Sequence, residues 1–138
     1  MASIVYNRCK AQWLAGAYNF DTAGDTLVVR LHTSGYVPDP DHTTTTQLTD
    51  EVVGTGYTSG GKTLLNQAVT QDDTENRAYL SASNVSWDTA TITARYAVIV
   101  NTTVGNELVC CVDFGEDKSS TGLTFMIDWN ADGIIRLA

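Results

Sequence analysis

The strongest constraint on the fold is a run of β-strand patterns over residues 91–137. Apolar and polar side chains alternate at two-residue spacing in this run, which is typical of strands that bury one face. The segments between the patterns are short and rich in turn-forming residues, and short connections favour antiparallel neighbours. No helical pattern interrupts the run. We therefore predict a mainly β, antiparallel β-sandwich or jelly-roll-like domain.

The patterns divide the run into separate strands with separate faces. In one strand Leu108, Cys110, Val112 and Phe114 are expected to share a face. In the next, Leu123, Phe125, Ile127 and Trp129 do so, while Thr124 and Asp128 turn outward. The predicted strands cover residues 91–101, 107–114, 123–129 and 134–137, and the predicted connections cover residues 102–106, 115–122 and 130–133.

One segment has a helical pattern, residues 3–16 at the N-terminus. Tyr6, Cys9 and Trp13 fall at i, i+3 and i+7, which places them on one face of a helix. Ser3 is a candidate N-cap, and Gly16 stands where such a helix would end. We therefore predict one N-terminal helix in an otherwise β chain.

The middle of the chain combines short strands with long loops. Residues 32–46 hold both prolines and are predicted to be a long loop, a kind of segment that is usually functional or disordered. Two segments stay ambiguous: residues 47–53 are a helical turn or an irregular edge, and residues 62–69 are a strand or a short helix. The remaining predictions are strands at residues 26–31, 77–82 and 85–87, a glycine-rich loop at residues 54–61 and an acidic turn at residues 71–76.

Length and charge limit the possible functions. A chain of 138 residues fits a single domain over residues 1–138. The formal net charge is −8, and the eight basic residues are scattered singly, whereas phosphate backbones need clustered cations. Nucleic acid is therefore an unfavourable partner, and an anionic membrane surface is unfavourable for the same reason.

The cysteines favour a reducing compartment. The chain has three, Cys9, Cys110 and Cys111, and neighbouring residues in a strand point to opposite faces, so Cys110 and Cys111 should not pair. No apolar stretch near the N-terminus has the length of a signal peptide, because Asn7, Arg8 and Lys10 interrupt it. We expect the protein to be made and folded in a cytoplasm.

The sharpest motif is a match to the phosphate-binding loop G-x-x-x-x-G-K-[ST] at Gly56, Gly61, Lys62 and Thr63. In such a loop, backbone amides cradle phosphates and the lysine reaches the outer ones. That chemistry needs a buried parallel strand before the loop and a helix after it, and neither pattern is present here. We expect a glycine-rich turn, and a nucleotide-binding enzyme stays a remote alternative.

A second match, to a calcium loop, lies near the C-terminus. Asp128, Asn130 and Asp132 occupy its first, third and fifth positions, and Gly133 its sixth. The twelfth position, which supplies the bidentate glutamate, would lie beyond Ala138. Since Asn, Asp and Gly also favour tight turns, we expect a hairpin turn and leave calcium binding open.

Other polar clusters have simpler explanations. His32 and His42 could form a metal cluster with Asp39 and Asp41, but the spacing matches no ligand pattern, so a solvated loop is the expectation. Asp72, Asp73 and Glu75 are expected to be a solvated acidic turn. Asp113-Phe-Gly resembles a kinase motif without the rest of that signature. We expect no enzyme activity, no catalytic residue, no metal and no cofactor. We expect Trp13, Trp87 and Trp129 to anchor a core or an interface.

In sequence, the chain resembles a family of small virion structural proteins from tailed bacteriophages. The segments that carry the resemblance keep one order over nearly the whole chain: residues 5–7, 25–29, 36–39, 54–61, 85–87, 90–99, 112–115, 127–129 and 133–137. The resemblance implies a β protein of the phage particle, on its head or its tail, without catalytic residues. It also implies that the loop at residues 56–63 is a turn of that family in which Lys62 is incidental.

The leading hypothesis from the resemblance is a capsid decoration or cement subunit. Such a subunit binds the major capsid protein, braces the head and is located on the virion after assembly in the host bacterial cytoplasm. We expect a homo-oligomer, with a trimer as the simplest guess. The loop at residues 32–46 could reach across neighbours, and the edge strand at residues 134–137 could extend a partner's sheet. The alternative is a tail, fibre or host-surface binding module.

Overall fold

A computed structural model, which describes residues 3–138, contains two antiparallel β-sheets and one α-helix. The helix, α1, spans Asn7–Leu14, and a single 3-10 turn spans Thr45–Gln47. The strands are β1 (Ile4–Val5), β2 (Leu27–His32), β3 (Lys62–Thr63), β4 (Ala68–Asp72), β5 (Arg77–Ser81), β6 (Val85–Asn101), β7 (Glu107–Ile127) and β8 (Ile135–Leu137). The prediction of a mainly β, sandwich-like fold with one N-terminal helix is therefore confirmed.

The larger sheet has five strands in the order β1-β7-β6-β2-β3, and the smaller sheet has three in the order β4-β5-β8. Every pairing between these strands is antiparallel. The five-residue connection between β6 and β7 makes them a long hairpin, as the short predicted loop at residues 102–106 requires. This hairpin is the central pair to which the rest of the larger sheet attaches.

The strands of the hairpin are longer than predicted. Residues 85–87 and 91–101 join in the 17-residue β6, and residues 107–114 and 123–127 join in the 21-residue β7. The predicted connection at residues 115–122 is therefore wrong. Gly115 and Gly122 have positive φ angles of 84° and 64° and lie at register shifts between the two strands. Glycine allows positive φ angles both in turns and in bulges, so a glycine in the sequence does not by itself distinguish the two.

A second bulge changes the predicted face of β7. Val100 pairs with Leu108 and Ile99 with Cys110, so Val109 is an extra residue on β7. Leu108 consequently packs on one side of the sheet and Cys110 on the other, which corrects the prediction that they share a face. Phe125 is buried in the core as predicted, but Leu123 is 69% exposed.

The main core lies between the two sheets and α1. The five-stranded sheet contributes residues such as Val29 and Trp87, the three-stranded sheet contributes Leu80 and Ile135, and α1 contributes Cys9. Trp87 is 2% exposed, and the indoles of Trp13 and Trp129 pack against the same core, as the sequence predicts. The smaller sheet thus covers one face of the larger one, as in a sandwich.

The other face of the larger sheet is covered by the chain's own loop. Tyr36, on this loop, is 1% exposed and its hydroxyl lies 2.8 Å from that of Tyr6. The amide of Leu108 donates to the carbonyl of Thr43, and the amide of Asn7 donates to that of Pro40. The loop predicted at residues 32–46 therefore starts after His32, which belongs to β2. Its hydrogen bonds are to residues of the same chain on the larger sheet and at α1, so the loop does not extend away from the domain.

Helix α1 begins later than predicted. Ile4–Val5 pairs with β7 instead of entering the helix, and the Ser3 hydroxyl accepts a hydrogen bond from the amide of Asp113 instead of capping it. Gly16 has a φ of 71° and follows the last turn, as predicted for a helix end. A further turn would add little stability to so short a helix, and Ile4 and Val5 instead pair with β7 as an edge strand.

The ambiguous segments have mixed structures. Residues 62–69 contain β3 and the first part of β4, which are both strands. Residues 47–53 begin at the end of the 3-10 turn and include an isolated bridge from Glu51 to His32.

The three cysteines are buried and free. Burial raises the pKa of the Cys9 thiol to about 12, so it is protonated at neutral pH.

Candidate interaction site

The most distinctive surface of the molecule is one side of the outer half of β7. Residues 118–127 pair with β6 on one side. On the other side, β1 pairs only with Cys110 and Cys111, at the far end of β7. Within residues 3–138, no strand pairs with the second side of residues 118–127, which we call the open edge. Its backbone groups therefore form a row that another strand can join.

A large bulge separates the open edge from the part of β7 that β1 covers. Tyr96 pairs with Asp113 and Ala94 with Lys118, so residues 114–117 stand opposite a single residue of β6. Such an insertion bends the strand and interrupts regular pairing. The bulge lies between the part of β7 that β1 covers and the open edge.

Asp113 holds this bulge in place. Its carboxylate accepts from Nε of Arg95 at 2.7 Å and from the amide of Gly115 at 2.8 Å. The hydrogen bond from Arg95 lowers the pKa of Asp113, so the carboxylate is charged at neutral pH. The Asp113-Phe-Gly sequence thus has a structural role as the anchor of a bulge.

An apolar groove of about 640 Å³ borders the open edge. The side chains of Phe114 and Phe125 lie in it with ring centroids 6.3 Å apart, and Phe125 in turn contacts Trp87 in the core. Trp129 also lines it, and its indole nitrogen donates to the carbonyl of Ser83. The floor is therefore built from rings that the core holds in fixed positions, which lowers the entropic cost of binding a partner.

The open edge has few of the features by which proteins protect exposed strands. It is ten residues long and contains no proline, and Lys118 is its only charged residue. Two of its apolar residues, Leu123 and Met126, are 69% and 57% exposed. Long edges with few charges and no proline are templates for strand addition from another chain. The surface is thus suited to bind an extended polypeptide segment.

The other edges of the two sheets are shorter or partly covered. Strands β1 and β3 have two residues each and β8 has three. Strand β4 has five, but the amide of Val69 donates to the carboxylate of Asp21. The edge strand predicted from residues 134–137 is present as β8, yet β7 offers the longer row of backbone groups.

The predicted phosphate-binding match forms a loop against the core. Lys62 donates to the carbonyl of Ser86 and its ammonium lies 5.8 Å from the Trp87 ring centroid. The amide of Gly60 donates to Glu51, so it is already used. A Cβ on Gly61 would lie 1.8 Å from the carbonyl oxygen of Val29, so glycine is required there by β2. The antiparallel β3 begins at Lys62, where a nucleotide loop would need a helix.

The predicted calcium match forms the turn before β8. The amide of Gly133 donates to the carbonyl of Asn130, and the amide of Asp132 donates to its side chain. The carboxylate of Asp132 pairs with Arg77 at 3.0 Å and with Arg136 at 3.4 Å. These cations therefore occupy the Asp132 carboxylate. The turn leads from β7 to β8, which pairs with β5 in the other sheet, so the prediction that it closes a hairpin is wrong.

The two histidines do not meet in a metal cluster. His32 is fully buried, which corrects the expectation of a solvated position, and its Nδ1 lies 2.7 Å from the carbonyl oxygen of Thr49. Burial lowers its pKa, and its Nε2 has no hydrogen-bond partner among the described residues. His42 instead lies 3.0 Å from the Tyr36 hydroxyl. Within residues 3–138, no group of three histidine, cysteine or acidic side chains has the geometry of a metal site.

The acidic turn is solvated as expected. Asp72 pairs with Arg77 and accepts from the amides of Thr74 and Glu75, while Asp73 and Glu75 are exposed. The hydrogen bond from the amide of Glu75 is the main cause of a lowered pKa of Asp72. This carboxylate therefore orders the turn.

Sequence reasoning missed the open edge because it placed a loop at residues 115–122. Residues 115–122 show no alternation of apolar and polar side chains, because nearly all of them are exposed on both faces of β7. The length of this polar segment argued against a tight hairpin turn, because eight residues are more than such a turn needs.

Comparisons with known proteins add no relative: no family model matches the chain, and no curated protein or solved structure matches it. In the part of the chain that the structure describes, α1 has eight residues and no helix has the length and apolarity to cross a membrane.

Proposed function

We propose that this protein is a structural subunit of a tailed-bacteriophage virion, a decoration or cement subunit that binds the major capsid protein and stabilises the head. The sequence resemblance described above supports the family, and the open edge at residues 118–127 supports the mode of action. A subunit of this kind works as a homo-oligomer, with a trimer as the simplest assembly, and has no catalytic role.

The open edge is the observation that carries the proposal. An isolated protein gains nothing from a ten-residue edge without charges at its centre, and such an edge favours aggregation. In an assembled particle, a strand of a neighbour covers it. We assign that strand to an extended segment of the major capsid protein, which would add backbone hydrogen bonds along β7 and place apolar side chains in the groove beside Phe114 and Phe125.

The rest of the architecture suits a brace. The main core is shared by both sheets, and the loop over residues 33–48 packs on the outer face of the larger sheet, so the domain has two packed layers of side chains. Close packing of this kind resists deformation. The excess of acidic groups keeps unassembled copies soluble.

The direct test is to localise the protein on its particle by cryo-EM. A decoration subunit appears in on the order of hundreds of copies on the head, whereas a tail, fibre or host-binding part appears in roughly dozens at most. Density on the head supports the proposal, and density on the tail supports the alternative. A protein that stays soluble and monomeric, with no association to any particle, overturns both.

A variant test examines the open edge. Leu123→Lys with Met126→Lys places two charges beside the edge at exposed positions, so the fold should tolerate them, and binding to heads that lack the protein should weaken by about tenfold or more. Val53→Lys is the matched control, because Val53 is 95% exposed and lies outside the edge. Equal binding by the double variant and the control excludes the edge as the attachment surface.

A further inference from the structure

We propose that residues 33–50 form a pH-sensitive lid over the outer face of the larger sheet, which is closed while His32 is neutral and opens when His32 takes up a proton. Opening uncovers an aromatic and apolar face of the sheet that is buried at neutral pH. The lid uses neither the open edge nor the groove beside it, so it does not depend on the proposed function.

Both ends of the lid meet at His32. The lid starts directly after this residue, which is the last of β2, and its other end returns to the isolated bridge between His32 and Glu51. The amide of Thr33 donates to the carbonyl of Asp50 at 2.9 Å. Nδ1 of His32 lies 2.7 Å from the carbonyl oxygen of Thr49. The imidazole therefore connects the end of the lid to its start.

The hydrogen bond to Thr49 fixes where a further proton can be added. A carbonyl oxygen only accepts, so Nδ1 carries the hydrogen of the neutral ring, and a second proton must bind Nε2. His32 is fully buried, and its Nε2 has no hydrogen-bond partner among the described residues. Protonation therefore creates a buried positive charge and an N–H group without an acceptor, and both are unfavourable while the lid is closed.

The charged groups around His32 do not compensate for this cost. Burial has the largest effect on the pKa of His32 and lowers it, and Arg30, two residues earlier on β2, acts in the same direction. The hydrogen bond to the Thr49 carbonyl and the carboxylates of Glu51 and Asp50 act in the other direction. Glu51 is already paired with Arg30, at 2.7 Å, so its charge is largely balanced.

Aromatic rings face the imidazole from the lid and from β6. The ring of Tyr36 lies 5.4 Å from that of His32, and Tyr96 is the partner of His32 in the sheet. The Tyr36 hydroxyl contacts the Tyr6 hydroxyl at 2.8 Å and Nδ1 of His42 at 3.0 Å. Burial raises the pKa of Tyr36 to about 12, so this ring supplies no negative charge to a protonated His32 at neutral pH.

The lid covers a layer of side chains that is separate from the main core. It contributes Tyr36 and Leu48 to this outer layer, and within residues 3–138 the main core takes no residue from the lid. Burial raises the pKa of Cys111, also in the outer layer, to about 12, so its thiol is uncharged at neutral pH. Release of the lid therefore exposes the outer layer and leaves the two sheets packed together. The other buried members of the layer are Tyr6, Tyr96, Val98, Val100 and Leu108.

Linkage gives the direction and the size of the pH effect. In the open lid His32 is in water and its pKa is close to the ordinary value of 6.5, whereas in the closed lid its pKa is lower. The open state therefore binds the proton at a higher pH. The equilibrium constant for opening should rise by up to about tenfold for each pH unit below 6.5, until the pKa of the closed state is reached.

Amide hydrogen exchange followed by NMR tests the lid residue by residue. The amides of Asn7 and Leu108 donate to the lid carbonyls of Pro40 and Thr43, so they report on opening. The amide of Tyr6 donates to a β7 carbonyl and is the matched control. Between pH 7 and about pH 5, the protection of Asn7 and Leu108 should fall by roughly tenfold or more after correction for the intrinsic exchange rate, while Tyr6 keeps its protection.

Two variants assign the effect to one imidazole. His32→Gln keeps a donor toward the Thr49 carbonyl and takes up no proton, so it should abolish the pH dependence of protection. His42→Gln removes the other imidazole of the chain and should leave the pH dependence intact. In the wild type, ¹⁵N NMR of the His32 ring should show a neutral ring with its hydrogen on Nδ1 at pH 7, and this measurement needs no variant.

Several results overturn the lid. Equal loss of protection at Tyr6, Asn7 and Leu108 means that the whole domain unfolds instead. Protection that does not change with pH in the wild type shows that protonation opens nothing. A loss that persists in His32→Gln, or one that disappears in His42→Gln, assigns the effect to another group. A His32 ring that is protonated on both nitrogens at pH 7 contradicts the buried neutral imidazole.

Discussion

The two halves of the β6–β7 hairpin are built from the same two strands and have opposite surroundings. In the inner half, β2 pairs with residues 96–101 of β6 and β1 with Cys110 and Cys111, so the hairpin lies inside a sheet. In the outer half, residues 118–127 are open on one side. Side chains are buried on both faces of the inner half and on one face of the outer half. One hairpin thus contains both a buried region that is paired on both sides and an open edge.

The buried contacts that stabilise the sheet and the open edge therefore lie in opposite halves of a single pair of strands. Burial on both faces and pairing on both sides make the inner half costly to alter. The outer half keeps its register through Trp87 and Phe125 on its inner face, while its other groups remain available. Substitutions in the two halves should therefore affect different measurements.

The largest expected effect is in the inner half. Ile99→Ala removes a fully buried side chain and should lower the free energy of unfolding by about 2–5 kcal/mol, because the cavity cannot collapse between two packed layers. Urea denaturation followed by tryptophan fluorescence measures it. A loss below about 1 kcal/mol would show that the inner half is not the rigid part.

The bulge that divides the halves should have a smaller effect. Gly115 has a φ of 84° and open space around it, so Gly115→Ala should cost about 1–2 kcal/mol through backbone strain alone. Gly115→Asn should cost less, since asparagine tolerates this conformation. The same denaturation experiment compares them, and equal costs for alanine and asparagine would contradict the backbone explanation.

The stability should depend on pH through the end of β2, where His32 pairs with Tyr96 of the inner half. Burial lowers the pKa of His32 below its ordinary value of 6.5, with Arg30 acting in the same direction and the Thr49 carbonyl, Glu51 and Asp50 against it. The unfolded chain therefore binds a proton at a higher pH than the folded chain. The stability due to neutral His32 is complete above pH 6.5 and is lost as the pH falls from there through the lowered pKa.

Unfolding curves between pH 7 and about pH 5 check this prediction, and His32→Gln should remove that slope. Carboxylates with lowered pKa values, such as Asp113 and Asp72, lose their stabilising effect only in a more acidic range, because their ordinary pKa is 3.8. A slope near pH 6 that persists in His32→Gln would assign the dependence to another group.

The smallest expected effect is in the outer half. Leu123→Ala should change the free energy of unfolding by less than about 0.5 kcal/mol, since the side chain is mostly in water. Together with Ile99→Ala it gives the sharpest contrast between the halves. A loss comparable with that of Ile99→Ala would mean that the outer half is also part of the folded core.

Much of the fold was predictable from the sequence, because its elements depend on local pattern. The alternation predicts that Phe125 and Ile127 are buried, and the glycine predicts the end of α1; both are confirmed, although the same alternation wrongly places Leu123 on the buried face. The failures are at the bulges. Gly115, Gly122 and Val109 change a register between two strands, and register depends on the partner strand and not on the local sequence.

The candidate surfaces were less predictable for the same reason. Lys62 and Asp132 attract attention as parts of motifs, yet their side chains contact Trp87 and Arg77, which are distant in sequence. His32 was expected in solvent because it adjoins a polar loop, and that loop folds over it. The open edge contains no sequence motif, because its unpaired backbone groups depend on which strands lie beside it in the fold.

Periodicity and composition were enough to predict an antiparallel β protein with one short helix, an excess of acidic groups and free cysteines. The folded structure was needed to show that two predicted strand pairs are one long hairpin, that its outer half has an open edge, and that Leu14 and Leu137 line one groove. Edges and grooves arise from contacts between residues far apart in the chain, whereas the pattern of each strand records only which of its faces is buried.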